Sequence, residues 1–173
     1  MPDFLKVEDV LQHLVIKKNM IAAEFGCGSA EFTIALAKKV NKGKVYALDI
    51  QEEKLSSLQG RMKLAHITNV VTVWCDLEVK NGSKLPDDSL DVVLIPNMLF
   101  QVEDKNVTIE ESCRILKKGG QLLIIDWLKQ GPFSPKTGML SPEKAKQLAS
   151  MFGFSLKKEF AAGDYHYALL FTK

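Results

Sequence analysis

The chain has 173 residues, 46% of them hydrophobic and 25% charged, and its 23 basic and 21 acidic side chains leave a net charge of +2. Such a length and composition fit one globular domain with a sizeable core. So balanced a charge gives no electrostatic footing for nucleic acid or an anionic membrane surface. No apolar run approaches the ~20 residues of a membrane-spanning helix, and Met1-Pro-Asp-Phe-Leu-Lys6 carries no secretory pattern. Cys27, Cys75 and Cys113 stand far apart without a CxxC pair, which argues against a zinc cluster and for a reduced, cytoplasmic setting.

Val7, Val10, Leu11, Leu14 and Val15 are spaced as one face of an opening helix. A strand-length run at 20–25 follows, and then Phe32, Ala35, Leu36 and Val40 mark the inner face of a helix that ends at Asn41-Lys-Gly43. Lys44-Val-Tyr-Ala-Leu-Asp49 reads as the second strand, and Leu55, Leu58, Met62 and Ala65 as the buried stripe of the next helix. The β-branched and aromatic run Val70-Val-Thr-Val-Trp-Cys75 is the third strand. Residues 78–89, with Asn81-Gly82 and Pro86, read as loop with at most one short helix. Leu90-Asp-Val-Val-Leu-Ile95 is the fourth strand, and a helix over about 103–117 is expected to end at Gly119-Gly120, where glycine suits a helix C-terminus. Gln121-Leu-Leu-Ile-Ile-Asp126 is the fifth strand, and residues 128–140, holding two glycines and two prolines, form a loop. Ser141-Pro142 offers an N-cap and a first helical position for a helix to about 151. Runs at 154–161 and 165–171 flank Ala162-Gly163-Asp164, a spacing for an antiparallel hairpin. Strands alternating with helices indicate a parallel α/β sheet, with residues 1–173 as a single domain and 1–19 as an N-terminal helical cover.

The first strand leads into Glu24-Phe-Gly-Cys-Gly-Ser-Ala30, an acid followed by Gly26 and Gly28 and then a helix. In a parallel α/β protein this strand-to-helix turn is where a nucleotide-like ligand sits, and glycines let the backbone approach it. A carboxylate beside the turn favours a cation over a phosphate. That combination suits S-adenosylmethionine, which carries an ammonium, a sulfonium and a ribose but no phosphate. A dinucleotide-binding turn would need glycine at position 31, where Glu31 would oppose a pyrophosphate.

With these residues in place, the chain from about 20 to 173 resembles the class I S-adenosylmethionine-dependent methyltransferases. It is most similar to the small-molecule group that includes ubiquinone/menaquinone-biosynthesis and arsenite methyltransferase-like members. The resemblance implies a Rossmann-like, seven-stranded, mostly parallel sheet with an antiparallel C-terminal hairpin and helices on both faces. It also implies that Glu24, Phe25, Gly26, Cys27 and Gly28 form the cofactor turn. Ala30 replaces the family's third glycine, a mild departure for a small residue that begins a helix well. Asp49, with Ile50 beside it, would accept the ribose hydroxyls, and Asp76 the adenine amine, with Cys75 or Leu77 giving a neighbouring backbone contact. Asn97 follows the fourth strand at the cofactor's edge. Arg114-Ile-Leu-Lys-Lys-Gly-Gly-Gln-Leu-Leu-Ile-Ile-Asp126 resembles the fifth-strand motif, with Lys118 where proline is common.

Methyl transfer from a sulfonium is an in-line displacement in which positioning does most of the work. A dedicated base is therefore optional, and no catalytic residue stands out. Asn97, Phe100, Gln101 and Trp127, with Pro96 and Asp126, are the substrate-side candidates. Gln101 stands where the related group often has histidine, and it can orient a substrate without taking its proton. Asn97 follows Pro96, so the Asn/Asp-Pro-Pro-Tyr pattern of amino-group methyltransferases is absent. Asp126 lacks the Asp-Asn pair of catechol-type metal sites, so no metal is expected. His66 reads as a cation at a helix C-terminus and His166 as a partly exposed strand residue, which leaves His13 on the opening helix as the histidine to test for substrate contact. The cysteines do not converge on an arsenic. The expected function is transfer of a methyl group to a small molecule. The alternative is a non-catalytic cofactor-binding protein, or a minimal subunit whose open pocket a partner, such as a second copy in a homodimer, completes.

Overall fold

The computed structural model describes residues 4–131 and 133–173. Its elements run α1 (Val7–Leu11), β1 (Ile21–Phe25), α2 (Glu31–Lys39), β2 (Lys44–Asp49), α3 (Glu52–Leu64) and β3 (Val70–Trp74). They continue with β4 (Leu90–Pro96), α4 (Lys105–Ile115), β5 (Leu116–Trp127), α5 (Pro142–Met151), β6 (Ser155–Ala161) and β7 (His166–Thr172). The strands form one sheet in the order β3-β2-β1-β4-β5-β7-β6, and only β7 runs against its neighbours. The strand order reverses between β1 and β4, which opens a crevice beyond their C-terminal ends.

The central strands are apolar throughout because both of their faces are covered. Ala22, Val45, Val92, Leu94, Leu123 and Ile125 point to one face, against α1 and α2, and α3 packs on the same side through Ala47, Leu55 and Leu58. Their sequence neighbours Ala23, Val93, Ile95, Leu122 and Ile124 point to the other face, against Ile109 and Ile115 of α4 and Ala145 and Ala149 of α5. The N-cap expected at Ser141 forms, its hydroxyl accepting the Lys144 N–H, with Pro142 in the first turn.

Several local expectations change. α4 stops at Ile115, and Leu116 is already extended and paired with Leu90 of β4. Gly119-Gly120 therefore lies inside β5, where the β4–β5 register shifts between Leu90 and Val92. Gly119 takes φ +80° there, and its N–H donates to the Lys173 carbonyl at 2.8 Å. A left-handed glycine serves a bulge as well as a helix end. The opening helix is also shorter than its apolar spacing, ending at Leu11, while Val15 lies exposed. Residues 78–89 contain turns and no helix, in line with the loop reading. Among the described residues no helix is long and apolar enough to cross a membrane.

Candidate active site

A cavity of about 790 Å³ lies beyond the C-terminal ends of β1, β2, β4 and β5, within the roughly 300–1,000 Å³ typical of small-molecule sites. Three successive strands deliver a carboxylate to its wall: Glu24 within β1, Asp49 at the end of β2, and Asp76 just after β3. With Glu31 and Glu78 they make five acidic residues on the wall, against Lys54.

The glycine turn leaves β1 with Gly26 at φ +75° and Gly28 at φ +39°, and the Gly26 N–H donates to the Leu48 carbonyl at 2.8 Å. A Cβ on Gly26 would sit 3.3 Å from Met98 Sδ, so the turn is packed from behind as well as wound left-handed. Ala30 takes the left-handed region too, at φ 67°, as the N-cap of α2. Its fitness for starting a helix is therefore not what places it there. The conformation costs an alanine roughly 1–2 kcal/mol, and burial of its methyl group against α3 offsets part of that.

Glu24 is 2% exposed, and its carboxylate accepts from the Thr33 hydroxyl of α2. Burial is the main cause that raises its pKa to about 8. Asp49 is fixed by backbone donors, Oδ1 accepting from Gln51 N at 2.9 Å and Oδ2 from Gly28 N at 3.4 Å, with the Cys27 thiol donating weakly to Oδ2 at 3.7 Å. Asp76 Oδ1 accepts from Glu78 N at 2.8 Å, and Glu78 Oε2 in turn accepts from Glu103 N and Asp104 N. Burial raises the Cys27 and Cys75 thiols to about 12, so both stay protonated.

Of the other cofactor candidates, Cys27, Ile50, Cys75, Leu77 and Asn97 line the cavity. Phe25 does not, because the strand alternation turns its ring into the core. Asn97 adopts φ 50°, a left-handed turn that asparagine tolerates, and its Oδ1 is buried without a hydrogen-bond partner among the described residues. On the substrate side Phe100, Gln101 and Trp127 line the cavity, and Phe4, Leu5 and Phe133 close over it. Phe4 sits 5.9 Å from Phe133 and 5.5 Å from Tyr165 between ring centroids.

Three expectations are corrected here. Asp126 stays outside the cavity wall: its Oδ2 accepts from Phe100 N at 3.1 Å and its Oδ1 from Trp127 N at 2.8 Å, which ties the turn after β4 to the end of β5. Burial raises its pKa to about 6. His13 does not line the cavity: its ring lies tilted 3.9 Å from that of Phe160, with Nδ1 2.8 Å from Lys158 Nζ. His166 is buried rather than partly exposed, and it does line the cavity, against Trp127. Its signal in the sequence was position alone: in the hairpin it faces Trp127 across the β5–β7 pair. Among the described residues no three His, Cys, Asp or Glu side chains are grouped to hold a metal ion.

A doubly wound sheet of this strand order, with an acid at each of three neighbouring strand ends, defines the class I S-adenosylmethionine-dependent methyltransferase fold. The methyltransferase domain family matches residues 16–162, and the chain belongs to it. S-adenosylmethionine is the cofactor that goes with this family. The demethylmenaquinone methyltransferase of Geobacillus stearothermophilus is 34% identical over 116 residues, which make up 65% of this chain and 47% of that protein. The chain thus spans about half the length of the curated relatives it matches. Among solved structures, a SAM-dependent methyltransferase from Aquifex aeolicus superposes with a TM-score of 0.86 over 97% of this chain and 89% of that one, at 23% identity. The [4+2]-cyclase SpnF superposes with a TM-score of 0.83 over 96% of this chain and 79% of that one, at 12% identity. At these identities both comparisons speak for the fold alone.

The cavity fits the cofactor. Its acids suit a cation and a diol, its turn holds Gly26 and Gly28 in the left-handed region that glycine adopts freely, and among the described residues the buried Asn97 Oδ1 still lacks a donor.

Proposed function

We propose that this chain transfers a methyl group from S-adenosylmethionine to a small-molecule acceptor. The observation that carries the reading is the set of three carboxylates, Glu24, Asp49 and Asp76, brought to one cavity by three neighbouring strands. When bound, the cofactor supplies a sulfonium methyl that an acceptor nucleophile takes by in-line displacement.

In this reading Glu24 meets the cofactor's ammonium. Asp49, held by the Gly28 and Gln51 N–H groups, accepts the ribose hydroxyls. Asp76 accepts the adenine amine, with Ile50 and Leu77 as apolar walls beside the ring. Gly26 and Gly28 bring the backbone close without side chains in the way. Asn97 offers its unpaired Oδ1 toward the cofactor or the acceptor, and Gln101 orients the acceptor. The aromatic lining from Phe4, Phe100, Trp127 and Phe133 supports a flat, apolar acceptor, in keeping with the quinone compound in the relatives' name. No nucleic acid is involved in this reading. A cytoplasmic setting goes with it, because all three cysteines are free thiols.

Calorimetric titration with S-adenosylmethionine and S-adenosylhomocysteine, with NAD as control, tests the reading. Micromolar binding of the first two and none of NAD is expected. If neither binds, the methyltransferase reading fails. Binding without turnover on an acceptor panel would leave a cofactor-binding protein instead.

A further inference from the structure

His166 is the polar side chain in the cavity wall that neither the core nor the cofactor contacts explain. It is 3% exposed, and neither ring nitrogen has a hydrogen-bond partner among the described residues. Its ring lies 4.1 Å from that of Trp127. Register sets this neighbourhood: His166 opens β7 opposite Trp127, the last residue of β5, which puts both rings on the acceptor side of the cavity. Leaving a buried donor and a buried acceptor both unmade is unfavourable in the free protein. A well-packed core would place an apolar side chain here.

We propose that His166 is the specificity residue for the acceptor: a neutral imidazole that makes the hydrogen bond to one hydroxyl on a flat apolar ring. The assignment rests on the methyltransferase reading above and deepens its substrate side. A neutral imidazole offers one donor and one acceptor, so one nitrogen takes the hydroxyl hydrogen while the other keeps its own proton. Among the described residues no carboxylate hydrogen-bonds either nitrogen to hold the ring as an imidazolium, and burial lowers its pKa to about 4. His166 therefore orients the acceptor by a hydrogen bond and does not carry its proton. Both nitrogens are covered in the free protein, so engagement must uncover one of them.

The test uses 1-naphthol and naphthalene as probes on the full chain saturated with S-adenosylhomocysteine. The protein has three histidines, so 15N–1H long-range spectra separate their imidazole signals. 1-Naphthol is expected to shift the His166 nitrogens and leave those of His66 and His13 in place, while naphthalene shifts them far less. By calorimetry the wild type should favour 1-naphthol over naphthalene by roughly tenfold, the scale of one net hydrogen bond. His166→Phe should bring the two probes to near-equal affinity, and His166→Gln, which keeps a donor and an acceptor, should restore part of the preference. S-adenosylhomocysteine affinity should be unchanged in both variants. His166 signals that ignore 1-naphthol, or a preference that survives in His166→Phe, would overturn the assignment. That result, with S-adenosylhomocysteine still bound, would leave the methyltransferase reading standing. Failure of S-adenosylhomocysteine to bind the wild type would remove both.

Discussion

Asp49 is held in place before a ligand arrives, since two backbone N–H groups from different segments fix its two oxygens. A carboxylate already ordered loses little freedom on binding. Its charge-assisted bonds to a diol together contribute roughly 1.5–3 kcal/mol. Asp49→Ala should therefore weaken S-adenosylhomocysteine binding roughly 10–150-fold by calorimetry. Unchanged affinity in a variant with native circular dichroism would take Asp49 out of the site. Asp49 was legible in the sequence through its company: alone it could cap the next helix, but with Glu24 and Asp76 it makes three acids at three successive strand ends in the order of the family's motifs. His166 was not legible. A polar residue opening an apolar strand reads as a solvent-facing end, and only the pairing with β5 turns that end into the cavity. Ala30 takes its left-handed turn without a signal in the sequence, because backbone handedness at a turn is not written in the side chain.

At the scale of elements, the segment between β3 and β4 behaves as a fixed part of the site rather than a slack loop. Glu111 of α4 holds it: its Oε1 accepts from Ser83 N at 3.0 Å and from the Ser83 hydroxyl, and its carboxylate is paired with Arg114. Gly82 packs so closely that a Cβ would lie 1.8 Å from the Asp76 carbonyl oxygen and 2.8 Å from that of Val79. Gly82→Ala must therefore move the backbone that carries Asp76. It should cost roughly 1–3 kcal/mol in urea unfolding, as overpacking does, and weaken S-adenosylhomocysteine binding at the same time. Gly60, in the middle of α3 with nothing within 4 Å of its added Cβ, is the contrast. Gly60→Ala should stabilise by about 0.5–1 kcal/mol and leave binding alone. If the two substitutions behave alike, the coupling of this loop to Asp76 is wrong. Periodicity made the strands and most helices legible in outline, because period 2 and period 3.6 survive in the apolar positions. It cannot separate a glycine that ends a helix from one that lets a strand bulge, which is why Gly119-Gly120 reads as a helix end in the sequence and lies inside β5 in the fold.

For the molecule as a whole, strand order places a carboxyl group, Glu24, in the middle of the sheet, and stability should carry its mark. Its folded pKa of about 8 stands well above the ordinary 4.5, through burial first. The folded protein thus keeps a proton that the unfolded chain has lost, and stability falls as pH rises from the unfolded value through about 8. Two other buried groups finish earlier. Asp126, raised to about 6, lowers stability with rising pH mainly below 7. His166 acts in the opposite sense, since its folded pKa near 4 lies below the ordinary 6.5, and stability rises with pH mostly below 7. Cys27 and Cys75, raised to about 12 from an ordinary 9, begin to lower stability only as pH nears that ordinary value. Among the described groups the interval from pH 7 to 8 belongs mainly to Glu24, and the ligand-free protein should lose about 1 kcal/mol across it. For a domain of this size that is roughly 2–4 °C in Tm, measurable by calorimetry in matched buffers. Glu24→Gln, which cannot titrate, should flatten the slope. Saturating S-adenosylhomocysteine should also flatten it if its ammonium sits by Glu24, because a neighbouring cation favours the ionised carboxylate already at pH 7. A slope equally steep in Glu24→Gln would assign the titration to another group. A slope lost in the variant but untouched by ligand would place the ammonium elsewhere in the cavity.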